Sequence, residues 1–276
     1  MLSLVADSSC DLPQEIIDRY GIRLVPLKIM IGGKEYTEGV DLSAEEFVRE
    51  MNAADELPKT SQPSPEDFSR VFEELSAGDN EVLCLTISSK LSGTYQSASL
   101  GKEILASPKV TVFDTLAGSL GHGLQIIKAA EMAVKGFSVA KIVEELKRYR
   151  ERMNILILLD TLENIVKGGR LSRFKGSLAE ILNIKMLLEG IDGEVRLVDK
   201  VRGRKRFLWH VLELIGKRLN GSRNLAFGIT HVNNLGDVEF LAQEIKKRYY
   251  PKGIIVNNMG ATMGTYAGNG GIIISF

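Results

Sequence analysis

Residues 82–105 read VLCLTISSKLSGTYQSASLGKEIL and predict, in order, a strand, a polar loop and a helix. The run 82–87 is rich in apolar and β-branched residues, which is typical of a buried strand. The run 95–105 predicts a helix, and the loop between them is crowded with hydroxyls and contains one glycine. A loop that leads from a strand into a helix directs free backbone N–H groups toward one point, which suits an anion.

This loop suggests that Ser92, Gly93 and Thr94 hold the acidic end of a ligand. From the loop alone, an ordinary strand-to-helix turn capped by Ser92 explains the same residues. The rest of the chain is needed to decide between these two interpretations.

The first half of the chain repeats this pattern of a strand followed by a polar loop. The apolar run 2–6 precedes a loop at 7–13, and the run 109–113 precedes another at 114–118, with helices predicted between the strands. Alternation of strands and helices predicts a parallel α/β sheet, whose ligands bind at the carboxyl ends of the strands.

A second domain is predicted to begin near residue 150. A charged stretch, 148–152, precedes the new apolar strand at 153–160, so we divide the chain into domains 1–152 and 153–276. Further strands are expected at 184–188, 194–197, 225–230, 253–256 and 272–275, and a glycine-rich loop at 259–271. The predicted fold is therefore α/β, with a mainly parallel sheet in the N-terminal domain and a mixed sheet in the C-terminal domain.

Composition excludes several classes of function. Lys plus Arg equals Asp plus Glu, at 35 each, so no net positive charge attracts nucleic acid, and the basic run 202–206 is expected to be a solvated helix start. No cysteine or histidine spacing is typical of a metal site, and neither G-x-G-x-x-G nor a Walker loop is present. The start of the chain does not resemble a signal peptide, and no apolar run has transmembrane length, so we expect a cytoplasmic protein.

Two kinds of site remain for the hydroxyl-rich loops. One is a nucleophilic site, in which Cys10 or a serine acts with one of the histidines, namely His122, His210 and His231. The aspartates beside Cys10 disfavour a thiolate, so we expect this cysteine to be a small buried residue.

The second kind of site is an acid-binding site built from three loops (7–11, 60–64 and 92–94), whose neutral donors suit a carboxylate that must also be released. Such a site also needs an apolar cavity for the rest of the ligand.

Five stretches, taken together and in this order, resemble the signature motifs of the DegV family. They are DSSCDLP at 7–13, TSQPS at 60–64, LSGTYQSA at 91–98, KGGRLS at 167–172 and RG at 202–203. The resemblance implies two α/β domains with a lipid lying between or within them. It also implies that the chain binds a long-chain fatty acid and presents the carboxylate to a separate kinase subunit, which makes an acyl phosphate for phospholipid synthesis.

The resemblance also implies which residues contact the ligand. Thr60 or Ser61 would bind the carboxylate together with Ser92 and the backbone amides of Gly93 and Thr94. A further set of basic residues would lie near the carboxylate or on the face that docks the kinase: Arg170, Arg173 and Arg202.

One residue departs from the family pattern. The last glycine-rich loop of the family commonly reads Gly-Thr-His-x-Gly-Pro-Gly, whereas residues 264–270 read GTYAGNG, which places Tyr266 beside the expected carboxylate. A phenol donates a hydrogen bond but carries no positive charge, so the ligand-binding role is retained. Whether Tyr266 supports phosphoryl transfer by a kinase stays open.

We therefore expect a fatty-acid-binding protein without catalytic residues, cofactor, metal, nucleic-acid partner or integral membrane segment. Burial of the acyl chain, at ~0.8 kcal/mol per CH₂, would supply most of the affinity, and the head group would set the orientation. The alternative is a serine or cysteine hydrolase of a small acyl substrate, which requires a histidine close to Ser92 or Cys10.

Overall fold

The computed structural model describes residues 2–171 and 183–276. Within these ranges the chain forms three β-sheets with helices packed on them. The strands are β1 (Leu2–Asp7), β2 (Arg23–Val25), β3 (Lys28–Ile31), β4 (Lys34–Thr37), β5 (Lys59–Ser61), β6 (Glu81–Thr86), β7 (Val110–Asp114), β8 (Ile155–Leu159), β9 (Ile184–Ile191), β10 (Glu194–Arg202), β11 (Ala226–His231), β12 (Gly253–Asn258) and β13 (Ile272–Ser275). The helices are α1 (Gln14–Tyr20), α2 (Ala44–Ala53), α3 (Pro65–Leu75), α4 (Thr94–Leu105), α5 (Ser119–Val134), α6 (Val139–Arg152), α7 (Glu163–Lys167), α8 (Arg204–Leu219), α9 (Leu235–Tyr249) and α10 (Ala261–Ala267).

The first sheet confirms the parallel arrangement predicted from the alternation of strands and helices. Its four strands lie in the order β2-β1-β6-β7, and every neighbouring pair is parallel. The carboxyl ends of the strands therefore share one edge, where the loops after β1 and β6 meet. The backbone N–H of Ile87 donates to Oδ2 of Asp7 at 2.7 Å, which ties the two loops together.

The second sheet is mixed, as predicted, with six strands in the order β10-β9-β8-β13-β11-β12. Of its neighbouring pairs, only β11 and β12 are parallel. One face, which carries Leu156 and Leu158 of β8, packs in a core with α8 and α9. The chain passes from the first sheet to the second between the end of α6 and the start of β8, and the division into domains 1–152 and 153–276 stays a prediction.

The third sheet is small, and its strand β5 was not predicted from the sequence. It pairs β3 with β4 through the turn at Gly32 and Gly33, and β3 with β5, both antiparallel. The sequence analysis treated residues 57–65 as a loop, because a strand of three residues shows no periodicity. Pairing with β3, thirty residues earlier in the chain, makes this segment a strand.

Helix α10 was also missed, because residues 259–271 were predicted to be a loop. The glycines in this stretch disfavour a helix, but tertiary packing outweighs that preference. A Cβ on Gly264 would lie 2.6 Å from the ring of Phe47 in α2, so only glycine allows α10 to pack so close.

Helix α5 joins the first and second sheets. Leu120 and Ile126 of α5 belong to the core beneath the first sheet. On the other side, a Cβ at Gly228 of β11 would lie 2.5 Å from Cβ of Leu120, and one at Gly121 would lie 3.0 Å from Cδ1 of Ile155. These close approaches hold the second sheet against the first half of the chain.

Candidate functional site

A narrow cavity lies between the first half of the chain and the inner face of the second sheet, and we call it the slot. The space in it that is open to the centres of water molecules is about 50 Å³, so its walls lie close together. Its walls are formed by Leu27, Thr60, Ile87, Leu91, Ser92, Ile157, Leu159, Ile165, Arg170, Val195, Thr262, Met263, Tyr266, Ala267 and Ile273. Most of these side chains are apolar, so the slot suits an apolar group.

The apolar wall follows from the alternation of side chains along β8 and β13. Ile157 and Leu159 point to the face opposite Leu158, and Ile273 lies beside Ile157 through the pairing of the two strands. The intervening residues point into the core with α8 and α9. The uniformly apolar sequence of β8 reflects burial on both faces, and it contains no sign that one face borders a cavity.

The polar side chains of the slot come from four separate segments. Thr60 is on β5, Ser92 precedes α4, Arg170 follows α7, and Tyr266 is on α10. Oγ1 of Thr60 lies 2.5 Å from the hydroxyl oxygen of Tyr266, and either hydroxyl can be the donor. Thr60 and Tyr266, predicted from separate motifs, are thus in direct contact.

Arg170 is the only charged side chain among the described residues that line the slot. Its Cζ lies 4.8 Å from the centre of the Tyr266 ring, which is a cation–π distance. Nε donates to the carbonyl oxygen of Leu91 at 3.2 Å, and Nη1 donates to that of Gly168 at 2.6 Å. These contacts hold the positive charge of Arg170 beside the phenol of Tyr266. A positive charge at this place is suited to a ligand carboxylate bound there.

The hydroxyl of Ser92 is oriented by the start of α4. The backbone N–H of Thr94 donates to Oγ of Ser92 at 3.3 Å, and the two hydroxyl oxygens are 2.8 Å apart. Thr94 is fully buried, and neither it nor Gly93 is among the residues that line the slot. Thr94 thus orients Ser92, and of the three predicted residues Ser92, Gly93 and Thr94, only Ser92 borders the slot.

The remaining predicted residues lie away from the slot or outside the described part of the chain. Ser61 is exposed, because it follows Thr60 on β5 and points to the other face. Arg202 is exposed at the end of β10. Arg173 and the neighbouring Ser172 lie outside the described residues.

The histidines give no support to the hydrolase alternative. His122 is buried; its Nε2 bonds to the carbonyl oxygen of Leu85, and its Nδ1 has no hydrogen-bond partner in the described part of the chain. His210 pairs with Asp199 at 2.9 Å, and His231 accepts a bond from the backbone of Asn234. No serine or cysteine is thus activated by a histidine within residues 2–171 and 183–276.

Cys10 is buried, as predicted. Burial raises the pKa of its thiol well above the ordinary value, and the nearby carboxylates add to the effect. A neutral thiol is a poor nucleophile, so this cysteine belongs to the core.

Two buried carboxyl groups that the sequence analysis missed hold the start of α10. Asp11 accepts bonds from the backbone N–H of Gly260 at 2.8 Å and from the hydroxyl of Ser119 at 2.6 Å. Glu38 accepts bonds from the backbone N–H and the hydroxyl of Thr262, at 2.6 and 2.7 Å. Because α10 carries Met263 and Tyr266, these bonds position one wall of the slot.

Burial changes the protonation of both groups. It raises the pKa of the Asp11 carboxyl to about 8, although the bonds from Ser119 and Gly260 oppose the rise. Burial also raises the pKa of Glu38, and the nearby Asp7 adds to this effect. The loop 7–11 was predicted to form part of the acid-binding site, but none of its residues lines the slot. No local pattern in the sequence links Asp11 to Glu38 or α10.

The described residues contain no cluster of three or more His, Cys, Asp or Glu side chains that could hold a metal ion. Among the helices within 2–171 and 183–276, none is long and apolar enough to cross a membrane.

Comparisons with known proteins agree on one family. A family model described as an uncharacterised protein of the DegV family matches residues 1–276. A DegV domain-containing protein from Caldanaerobacter subterraneus subsp. tengcongensis is 33% identical over 267 residues, which cover 97% of this chain and 95% of that relative.

Solved structures of similar fold include proteins described as fatty-acid binders. A DegV family protein from Thermus thermophilus, described by its fatty acid binding, matches with a TM-score of 0.93 and 33% identity over 100% of this chain and 99% of that one. DegV from Bacillus subtilis, described as a fatty acid binding protein, matches with a TM-score of 0.89 and 26% identity, covering 99% and 98% of the two chains.

The buried carboxyl of Asp11 predicts a pH-dependent stability. Between its ordinary pKa of 3.8 and its folded pKa of about 8, the folded state holds a proton that the unfolded state has lost. The stability conferred by protonated Asp11 is therefore full at low pH and is lost as the pH rises through this range. Asp11→Asn mimics the protonated acid, so its free energy of unfolding should fall less steeply between pH ~4 and ~8 than that of the wild type.

Urea denaturation at several pH values measures this difference. Asp18→Asn, at an exposed position of α1, serves as the control and should follow the wild type. Parallel profiles for the wild type and Asp11→Asn would show that Asp11 is ionised throughout the range.

Proposed function

Because the chain belongs to the DegV family, we propose that it binds a long-chain fatty acid in the slot. The acyl chain lies along the inner face of the second sheet, and the carboxylate lies at the end formed by Thr60, Ser92, Arg170 and Tyr266. The observation that carries the proposal is a narrow, mainly apolar cavity whose wall holds hydroxyl groups and, among the described residues, one cation. The fatty-acid-binding proteins of similar fold support it.

Burial of the acyl chain would dominate the affinity. At ~0.8 kcal/mol per CH₂, ~15 methylene groups contribute ~12 kcal/mol before the costs of association are subtracted. A hydrogen bond to a charged group adds ~1.5–3 kcal/mol. The polar end therefore fixes the direction of the fatty acid, and the apolar walls hold it.

The polar end combines one fixed charge with neutral hydroxyl donors. Arg170 supplies the charge, which offsets part of the cost of burying a carboxylate. Thr60 and Tyr266 are already bonded to each other, so when one hydroxyl donates to the other, the second is left to donate to the ligand. Ser92, oriented by Thr94, provides a further donor.

We further propose that the bound fatty acid is presented to a separate kinase subunit. This chain would bind the acid, and the partner would transfer the terminal phosphoryl group of ATP to the carboxylate oxygen, releasing ADP. The exposed basic residues around Arg202, at the end of β10 and the start of α8, are suited to contact an acidic partner surface. Arg202 is outside the slot, so this role is separate from ligand binding.

Ser92→Ala should weaken fatty-acid binding about tenfold or more, because it removes a donor to the carboxylate worth ~1.5–3 kcal/mol. Titration with a fluorescent fatty acid, followed by displacement with an unlabelled one, measures the affinity. Ser89→Ala, in an exposed position of the same loop, is the matched control and should bind like the wild type. Equal affinity for both variants would remove Ser92 from the carboxylate site.

Arg202→Ala should bind fatty acid like the wild type but support less acyl phosphate formation by the kinase subunit. Trapping the acyl phosphate with hydroxylamine measures the product. Arg223→Ala removes the same charge from an exposed position after α8 and should leave both properties unchanged. Weaker fatty-acid binding by Arg202→Ala would place Arg202 in the ligand site and contradict a docking role.

A further inference from the structure

A second cavity lies between the sheets beyond the slot. The space in it that is wide enough for the centre of a water molecule is about 350 Å³, against about 50 Å³ in the slot. Its lining combines seven polar or charged residues with apolar ones: Thr115, Arg150, Glu151, Asn154, Glu189, Asp192 and Arg218, beside Leu116, Ala117, Met153, Ile155, Leu156 and Ile191.

The direction of the slot follows from β8. Its polar end is near the carboxyl end of this strand, because α7 follows β8 and Gly168, just after α7, approaches the ring of Tyr266. Side chains two residues apart on a strand point the same way, so Leu159, Ile157 and Ile155 form a row leading away from the polar end. Leu159 and Ile157 line the slot, whereas Ile155 lines the second cavity.

Ile155 occupies the boundary between the two cavities in a fixed position. A Cβ on Gly190 of β9 would lie 3.2 Å from Cβ of Ile155, and one on Gly121 of α5 would lie 3.0 Å from its Cδ1. The side chain thus extends from β8 to α5, wedged between two glycines, and only 9% of it is exposed. Ala117 packs in the same cluster as Ile155 and Ile157.

We infer that Ile155 is the wall that ends the acyl slot and sets the longest fatty acid that the protein holds without strain. This inference rests on the proposed function. A chain that fills the row from Leu159 to Ile157 meets the Ile155 side chain next. Removing that side chain would lengthen the apolar row by the space that the side chain leaves, up to the largely polar lining of the second cavity.

The test uses saturated fatty acids of increasing length and measures the dissociation constant of each by displacement of a fluorescent fatty acid. For the wild type, affinity should rise about fourfold per added methylene and then stop rising at a limiting length. Ile155→Ala removes three carbons from the wall, so its limiting length should increase by two or more carbons. Ile155→Val removes one carbon and should give a smaller increase.

Leu158→Ala is the matched control. Leu158 lies on β8 between Ile157 and Leu159, but its side chain points into the core with α8 and α9, and it lines neither cavity. It should lower stability like any large-to-small core substitution, yet keep the limiting length of the wild type. Should Ile155→Ala not fold, Ile155→Val carries the test.

Each outcome has a distinct meaning. The same limiting length for the wild type, Ile155→Val and Ile155→Ala would overturn the inference, as would a wild type whose affinity rises without limit across the series. No binding of any fatty acid by the folded wild type would instead overturn the proposed function.

Discussion

The candidate site depends on the buried hydrogen bonds that donors at the start of α10 make to the carboxyl groups of Asp11 and Glu38. Asp11 follows β1 of the first sheet, and Glu38 follows β4 of the small sheet, while α10 leads into β13 of the second sheet. Three sheets from distant parts of the sequence are thereby joined at one short helix. This junction brings Tyr266 on α10 within hydrogen-bond distance of Thr60 on β5.

This junction is held by groups that are costly to bury. Burial raises the pKa of both carboxyl groups, and bonds from backbone and hydroxyl donors compensate only in part. Well-packed apolar residues would stabilise the same place at a lower cost, but they would not bond the N–H groups at the start of α10. The polar junction therefore fixes the position and orientation of the helix, and with it the polar part of the slot.

The prediction from sequence succeeded where local patterns determine structure. The run 82–87 and the loop to Thr94 predicted a strand and the start of a helix, and the alternation in the first half predicted a parallel sheet. Family motifs identified Thr60, Ser92, Arg170 and Tyr266, which the folded chain brings to one cavity. The ligand contacts assigned to these residues stay predictions.

What could not be predicted depends on contacts between distant residues. The three-residue strand β5 exists because it pairs with β3, and the glycine-rich helix α10 exists because Phe47 packs against Gly264. Nor does the apolar run of β8 reveal which of its side chains border the slot. The position of Ile155 between Gly121 and Gly190 likewise depends on the packing of β8, β9 and α5 against one another, which the sequence does not show.

The most direct test of this account is a crystal structure with a long-chain fatty acid that carries bromine on its terminal carbon. The anomalous signal of bromine locates the end of the chain independently of the density for the carboxylate. We predict a carboxylate within hydrogen-bond distance of Thr60 or Ser92 and near Arg170, and a bromine beside Ile157 and Ile155. A bromine next to Tyr266, or a fatty acid bound outside the slot, would contradict the account.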